Sequence, residues 1–192
     1  EPQATADSRA RAWHGRTVVG LGWVSFFTDL HSEALQALLP QFIASVLGMS
    51  MASIGFIQGL AEATVAFVQL LSGWLSDRLG VRKPLVVAGY SLSTLVKSLL
   101  ALAVLPWQVL AVRVGDRLGK GLRTPPRDAI LADAVDAAQW GKAYGLHRAM
   151  DSAGAIGGTI LAIALFGATH SYRITFALAA IAGVAAVLLL LL

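Results

Sequence analysis

Apolar residues run through this 192-residue chain in long unbroken stretches, not in the two-residue alternation of a half-buried strand. Six stretches reach the roughly 20 residues that an α-helix needs to cross a hydrocarbon core. They predict spans from Thr17 to Leu39, Met51 to Leu75, Pro84 to Leu105, Trp107 to Ala132, Ala143 to Phe166 and Ile174 to Leu192. A membrane-spanning barrel would show dyad alternation, and "ITFALAAIAGVAAVLLLLL" has none. The expectation is an all-α membrane protein whose solvent is the lipid bilayer.

Polar residues interrupt these spans at helical spacing. An Asp, Lys or Arg near the bilayer centre costs roughly 2.5 to 3.5 kcal/mol on insertion scales, so such groups persist where they face a cavity or a partner. The first span carries Asp29 and Glu33, four residues apart and so on one helix face. The second carries Gln58, Glu62 and Gln69, and the third carries Lys97 among Ser93, Thr94 and Ser98. In the fourth, Arg113, Arg117, Lys120, Arg123 and Arg127 recur every three or four residues, with Asp116 inside the stripe. His147, Arg148 and Asp151 share one turn of the fifth.

Divided into two triplets, the spans place the most charged helix first in each, acidic in one and basic in the other. Inverted-topology repeats have this pattern, with corresponding helices lining a shared path at the midplane. The expectation is six transmembrane helices as a 3+3 inverted repeat, and Lys97 departs from it by charging a helix that should be peripheral. Acids and bases nearly balance in number within the spans, so buried ion pairs explain part of the charge without any ligand.

Composition agrees, at 56% hydrophobic and 14% charged. The net charge of +4 does not call for a nucleic-acid partner, because the bases mark topology. Arg9, Arg11 and Arg16 precede the first span, Arg78, Arg82 and Lys83 follow the second, and Lys142 follows the fourth. The opposite connections carry only Arg173. The positive-inside rule then makes residues 1–16 a cytoplasmic segment and 17–192 a six-helix bundle. The opening 15 residues have no apolar core, so no cleavable leader is expected; the closing "LLLLL" lacks a polar cap, as if the sixth helix were cut and a second bundle followed. There is no cysteine, no zinc-ligand spacing, no phosphate loop and no nucleophile elbow, so neither a metal, a cofactor nor an enzyme activity is called for.

The connection "GWLSDRLGVRKPL" resembles the signature loop of the major facilitator superfamily, G-x-L-x-D-R-x-G-x-[KR]-K, through Gly73, Leu75, Asp77, Arg78, Gly80, Arg82 and Lys83. Val81 stands where that family usually has a base. "RLGKG" resembles the family's R-x-x-Q-G element with Lys120 in place of Gln, and "GAIGGT" resembles the antiporters' G-x-x-x-G-P with Thr159 in place of proline. "SFFTDLHSE" and "DRLGKGLRTPPRDA" are similar to bacterial permeases described as drug or metabolite exporters. The resemblance covers the whole chain and implies the N-terminal half of a twelve-helix transporter, its partner being a C-terminal six-helix half or a second copy.

The function expected from these residues is secondary active transport of a small anionic or zwitterionic solute or drug. Arg117, Lys120, Arg123 and Arg113 would bind the solute by charge-assisted hydrogen bonds. Asp29, Glu33, Glu62 and Asp151 would hold a coupling proton, since a low-dielectric site disfavours an ionised carboxylate. Gly73, Asp77, Arg78, Gly80, Arg82 and Lys83 would form a conformational gate, with Asp77 clasping a neighbouring helix start. Gly154 and Gly158 would serve helix packing. Pro125 and Pro126 would break or kink the fourth helix and free backbone carbonyls. The alternative is a transporter-like membrane scaffold or receptor that no longer transports, its charges neutralised internally.

Overall fold

The computed structural model describes residues 13–192, and every regular element among them is helical. Arg9, Arg11 and most of the 1–16 segment lie outside the described residues. The helices are α1 (Arg16–Ser45), α2 (Met51–Leu79), α3 (Arg82–Ser98), α4 (Pro106–Asp133), α5 (Trp140–Thr169) and α6 (Tyr172–Leu191). A 3-10 turn, Leu99–Leu102, extends α3, and another, Ala137–Gln139, leads into α5. Four of these segments are long and apolar enough to cross a membrane. The other two helices, α1 and α4, have the length but carry the charges.

Local signals set the boundaries. The Ser50 hydroxyl accepts the Ser53 amide at the start of α2, and Ser171 accepts the Ile174 amide at the start of α6. Gly80 ends α2 with φ +65°, a left-handed conformation that costs any residue with a Cβ. Residues 51–57 and 106–112 begin helices just inside one end of the bundle. The other end carries the α2–α3 and α4–α5 connections and is called the basic end below.

The helices pack in the pairs α1·α5, α1·α6, α2·α4, α3·α4 and α3·α6. Glycines at the crossings bring backbones together: Gly154 lies against the Phe26 carbonyl, Gly158 against that of Leu30, Gly119 against Gly89 and Ser93, and Gly121 against Val65 and Val68. An apolar cluster around Phe42, Ile43, Leu100, Val109 and Phe176 fills the bundle away from the basic end. A second, around Val18, Leu131, Val135 and Ala143, fills the basic end. Polar side chains occupy the depth between them.

The prolines do not break α4, which runs continuously through Pro125 and Pro126. Pro125 lacks the N–H that would bond the Gly121 carbonyl, and the buried Ser72 hydroxyl on α2 donates to that carbonyl instead at 2.8 Å. Gly73 leaves room for the proline ring beside it, its Cβ position 3.6 Å from Pro125 Cβ. A neighbouring helix supplies the bond that the proline removes, so the helix stays whole.

Candidate functional site

α1, α2, α3 and α4 enclose a cavity of about 210 Å3 whose wall carries the acids Asp29, Glu33, Glu62 and Asp116 and the bases Lys97, Arg113, Arg117, Lys120 and Arg123. Helical periodicity brings them together. Asp29 and Glu33 share one face of α1, and the α4 stripe turns the same side of that helix inward every three or four residues.

Part of this charge is neutralised within the wall. Arg117 Nε lies 3.3 Å from Glu62 Oε1, and Arg113 Nη2 donates to Gln58 Oε1 at 2.6 Å. Lys97 and Asp116, each only 4% exposed, form an ion pair at 3.7 Å. Lys97 Nζ also donates to Ser32 Oγ at 2.6 Å, the Ser93 hydroxyl donates to Asp116, and Arg117 Nη1 stands 4.0 Å from the same carboxylate. This buried knot ties α1, α3 and α4 together.

The rest of the charge is not paired. Among the described residues no ion pair within 4 Å involves Asp29, Glu33, Lys120 or Arg123. Arg123 is the most constrained of the four. It is 5% exposed, its guanidinium carbon lies 4.4 Å from the centre of the Tyr90 ring, and its Nε and Nη1 have no hydrogen-bond partner. Burying a guanidinium without a carboxylate is costly, and a ring face returns only part of that cost.

Asp151 stands outside the cavity. It lies between α1 and α5, where it accepts from Ser25, and His147 Nδ1 is 3.6 Å and Arg148 Nη1 3.5 Å away. At the basic end, Arg78 stacks on Trp74 with 5.1 Å to the ring centre, and Arg82 pairs with Asp133 at the end of α4. Asp77 and Lys83 are exposed. At the start of α3, Val81 is the N-cap and receives no side-chain cap, so Asp77 does not clasp that helix start.

A family model described as Major Facilitator Superfamily matches residues 21–192. The chain belongs to the major facilitator superfamily. It is 40% identical over 148 residues to an uncharacterized MFS-type transporter of Methanocaldococcus jannaschii, covering 77% of this chain and 37% of that protein. It is 32% identical over 115 residues to the multidrug resistance protein MdtH of Proteus mirabilis, covering 60% of this chain and 28% of that one. A solved POT family transporter in complex with 5-aminolevulinic acid superposes with a TM-score of 0.85 at 17% identity, over 95% of this chain and 39% of that structure. That likeness concerns the fold. The chain thus spans well under half the length of these relatives, and as a superfamily member it is a multi-pass membrane protein.

Sequence spacing located eight of the nine charged wall residues in one-helix sets but did not pair them. Asp116 and Lys97 read as a stray acid in a basic stripe and an exception on α3, and across helices they form the most buried ion pair. His31 carried no signal at all. It is fully buried in the α1·α3·α6 seam, both ring nitrogens lack hydrogen-bond partners, and the Cβ position of Gly183 points straight at it. Tyr90, the aromatic support of Arg123, lies 33 residues from it in sequence and could be found only through the α3·α4 crossing.

Proposed function

We propose that this bundle is the N-terminal half of a proton-coupled secondary transporter that carries a small anionic or zwitterionic solute through a central path by alternating access. The observation that carries the reading is the cavity itself. Its wall combines paired charges, which hold its shape, with Asp29, Glu33, Lys120 and Arg123, which lack ion-pair partners and are available to a solute or a proton. Arg123 and Lys120 would take the anionic group, Arg117 and Arg113 would shape the site from their places beside Glu62 and Gln58, and Asp29 and Glu33 would face a cationic group or a proton.

The packing supports a 3+3 inverted repeat. Exchanging α1 with α4, α2 with α5 and α3 with α6 turns the pair α1·α5 into α4·α2 and α1·α6 into α4·α3, and leaves α3·α6 unchanged. Close glycines recur at the exchanged crossings, Gly154 and Gly158 in one and Gly121 in the other. In this arrangement the basic end faces the cytoplasm of a bacterial inner membrane, the Gly73 to Lys83 loop with Arg82–Asp133 acts as a gate there, and a second six-helix half closes the path.

The transport-inactive scaffold predicts charges that cancel inside the bundle. Arg123 counts against it, as a buried guanidinium with two unbonded nitrogens. The name of the Proteus relative favours a drug as solute, and Asp29 and Glu33 would suit a cationic one.

The test is proton movement in proteoliposomes of the complete protein, followed with an entrapped pH dye while 5-aminolevulinate, a dialanine peptide or ethidium is added. A solute that moves protons in the wild type should fail to do so in Asp29→Asn and should bind more than about tenfold more weakly to Arg123→Gln, the loss of one charge-assisted contact. Proton movement that survives Asp29→Asn, Glu33→Gln and Glu62→Gln together would overturn the coupling assignment. Unchanged affinity in Arg123→Gln would overturn the anion site.

A further inference from the structure

His147 is buried on the face of α5 that carries Asp151, Gly154 and Gly158 and packs against α1, without a role in the cavity. It is 2% exposed, its Nε2 has no hydrogen-bond partner, and its Nδ1 lies 3.6 Å from Asp151 Oδ2. Asp151, 9% exposed, also accepts from the Ser25 hydroxyl of α1. Ser25 stands one helical turn below Asp29 on the same face of α1, and Asp29 and Asp151 are within electrostatic reach of each other. The other charged groups near the imidazole are Arg127 and Asp128 of α4 and Arg148 of α5, the last 3.5 Å from Asp151 Oδ2. Arg127 Nε and Nη2 donate to Asp128 Oδ1 at 2.9 and 2.8 Å, and the Tyr144 hydroxyl donates to the Asp128 carbonyl. The Asp128 side chain is 38% exposed, so this chain of groups reaches water.

Packing alone explains neither the histidine nor the acid. Gly154 and Gly158 already bring α1 and α5 to backbone contact, and the apolar cluster around Val18, Leu131 and Ala143 fills the basic end without any polar group. A titratable pair at helical spacing, hydrogen-bonded through Ser25 to α1 one turn from Asp29 and lying near the charged groups of the solvated end of α4, has the composition of a proton relay.

We propose that Ser25, Asp151 and His147 form the path by which a proton travels between Asp29 in the cavity and the basic end of the bundle. This rests on the reading of Asp29 as a proton site. In the inward direction His147 takes a proton at Nε2 from water beside Asp128 and releases the one on Nδ1 to the Asp151 carboxylate. Asp151 passes it through the Ser25 hydroxyl toward Asp29, and the imidazole turns over to its starting tautomer for the next cycle. One proton enters, one leaves, and no other reactant is consumed. His147 and Ser25 are positioning and relay groups here and do not touch the solute.

The test uses the complete protein in lipid vesicles and the proton as its probe. Time-resolved infrared absorption after a pH jump follows the carboxyl band of Asp29, assigned by its loss in Asp29→Asn. In His147→Gln the band should titrate at the same final pH as in the wild type but appear about tenfold or more slowly; in Asp151→Asn, which removes a charge within reach of Asp29, the rate is compared at the variant's own midpoint and should fall by a similar factor. Asp151→Glu should restore the rate. Asp151→Asn keeps the size of the side chain, so it carries the test alone if His147→Gln does not fold. A folded Asp151→Asn protein whose Asp29 band appears at the wild-type rate overturns the relay while leaving Asp29 as a proton site. Absence of any titrating Asp29 band in the wild type overturns the coupling reading and the relay with it.

Discussion

Removing Lys97 or Asp116 alone should destabilise the bundle far more than removing both. The two groups are each 4% exposed and 3.7 Å apart, a separation at which opposite charges attract by about 4 kcal/mol at an effective dielectric of 20. Desolvation of both ions offsets most of that attraction, so the intact pair contributes little net stability. A single substitution leaves the other ion buried without its partner, which costs about 3 to 5 kcal/mol. The two single variants should also differ. Lys97→Met leaves Asp116 with the Ser93 hydroxyl and Arg117 at 4.0 Å, whereas Asp116→Asn leaves Lys97 with only Ser32 and removes the acid that Arg117 also faces. Asp116→Asn is therefore the more damaging change. The assay is thermal unfolding of the purified protein in detergent, where about 3 kcal/mol corresponds to a fall of roughly 6 to 12 °C for a bundle of this size. Lys97→Met with Asp116→Asn should recover at least half of the loss, giving a coupling energy of about 2 kcal/mol or more in the double-mutant cycle. Single variants within about 1 kcal/mol of the wild type, or strictly additive ones, would show that water or a mobile counterion reaches the pair and would refute its role as a dry knot between α3 and α4.

Gly158→Ala should force α1 and α5 apart, because the added methyl meets the Leu30 carbonyl and lies 3.0 Å from the Ala34 nitrogen; Gly20→Ala, with nothing within 4 Å, should stay within about 0.5 kcal/mol in the same melting assay. Ser72→Ala orphans the Gly121 carbonyl opposite Pro125 and should cost about 1 to 3 kcal/mol, and an equal loss should be absent when Pro125 is also replaced by alanine, which restores the helical donor. Gly80→Ala places a side chain at φ +65° and should cost about 1 to 2 kcal/mol, whereas Gly80→Asn should cost less, read by the same unfolding transitions.

The apolar runs made the helices legible because a bilayer leaves an uninterrupted stretch no other way to satisfy its backbone. With the 3-10 turn counted as part of α3, five of the six helices begin and end within about four residues of the predicted spans, and α1 overran its prediction because "PQFIAS" continues the helix through the exposed Pro40. The stripe on α4 was legible for the same reason, since its period is a property of one helix. Partnership was not legible, because it is a property of two. Nothing local distinguishes Arg117, which faces Glu62, from Arg123, which faces the Tyr90 ring, yet only the first of the two has a carboxylate within 4 Å. Ser72 reads as an ordinary small residue until α2 is laid beside α4 and its hydroxyl meets the carbonyl that Pro125 has freed. Asp151, grouped with the cavity acids by residue type, is held out of the cavity because Gly154 and Gly158 seat its face of α5 against α1. The glycines, Gly154 and Gly158 among them, thus help decide which charges meet. They fix the crossings, and the crossings sort one set of ionisable residues into a neutralised frame, an unpaired cavity wall and a separate cluster reaching the basic end.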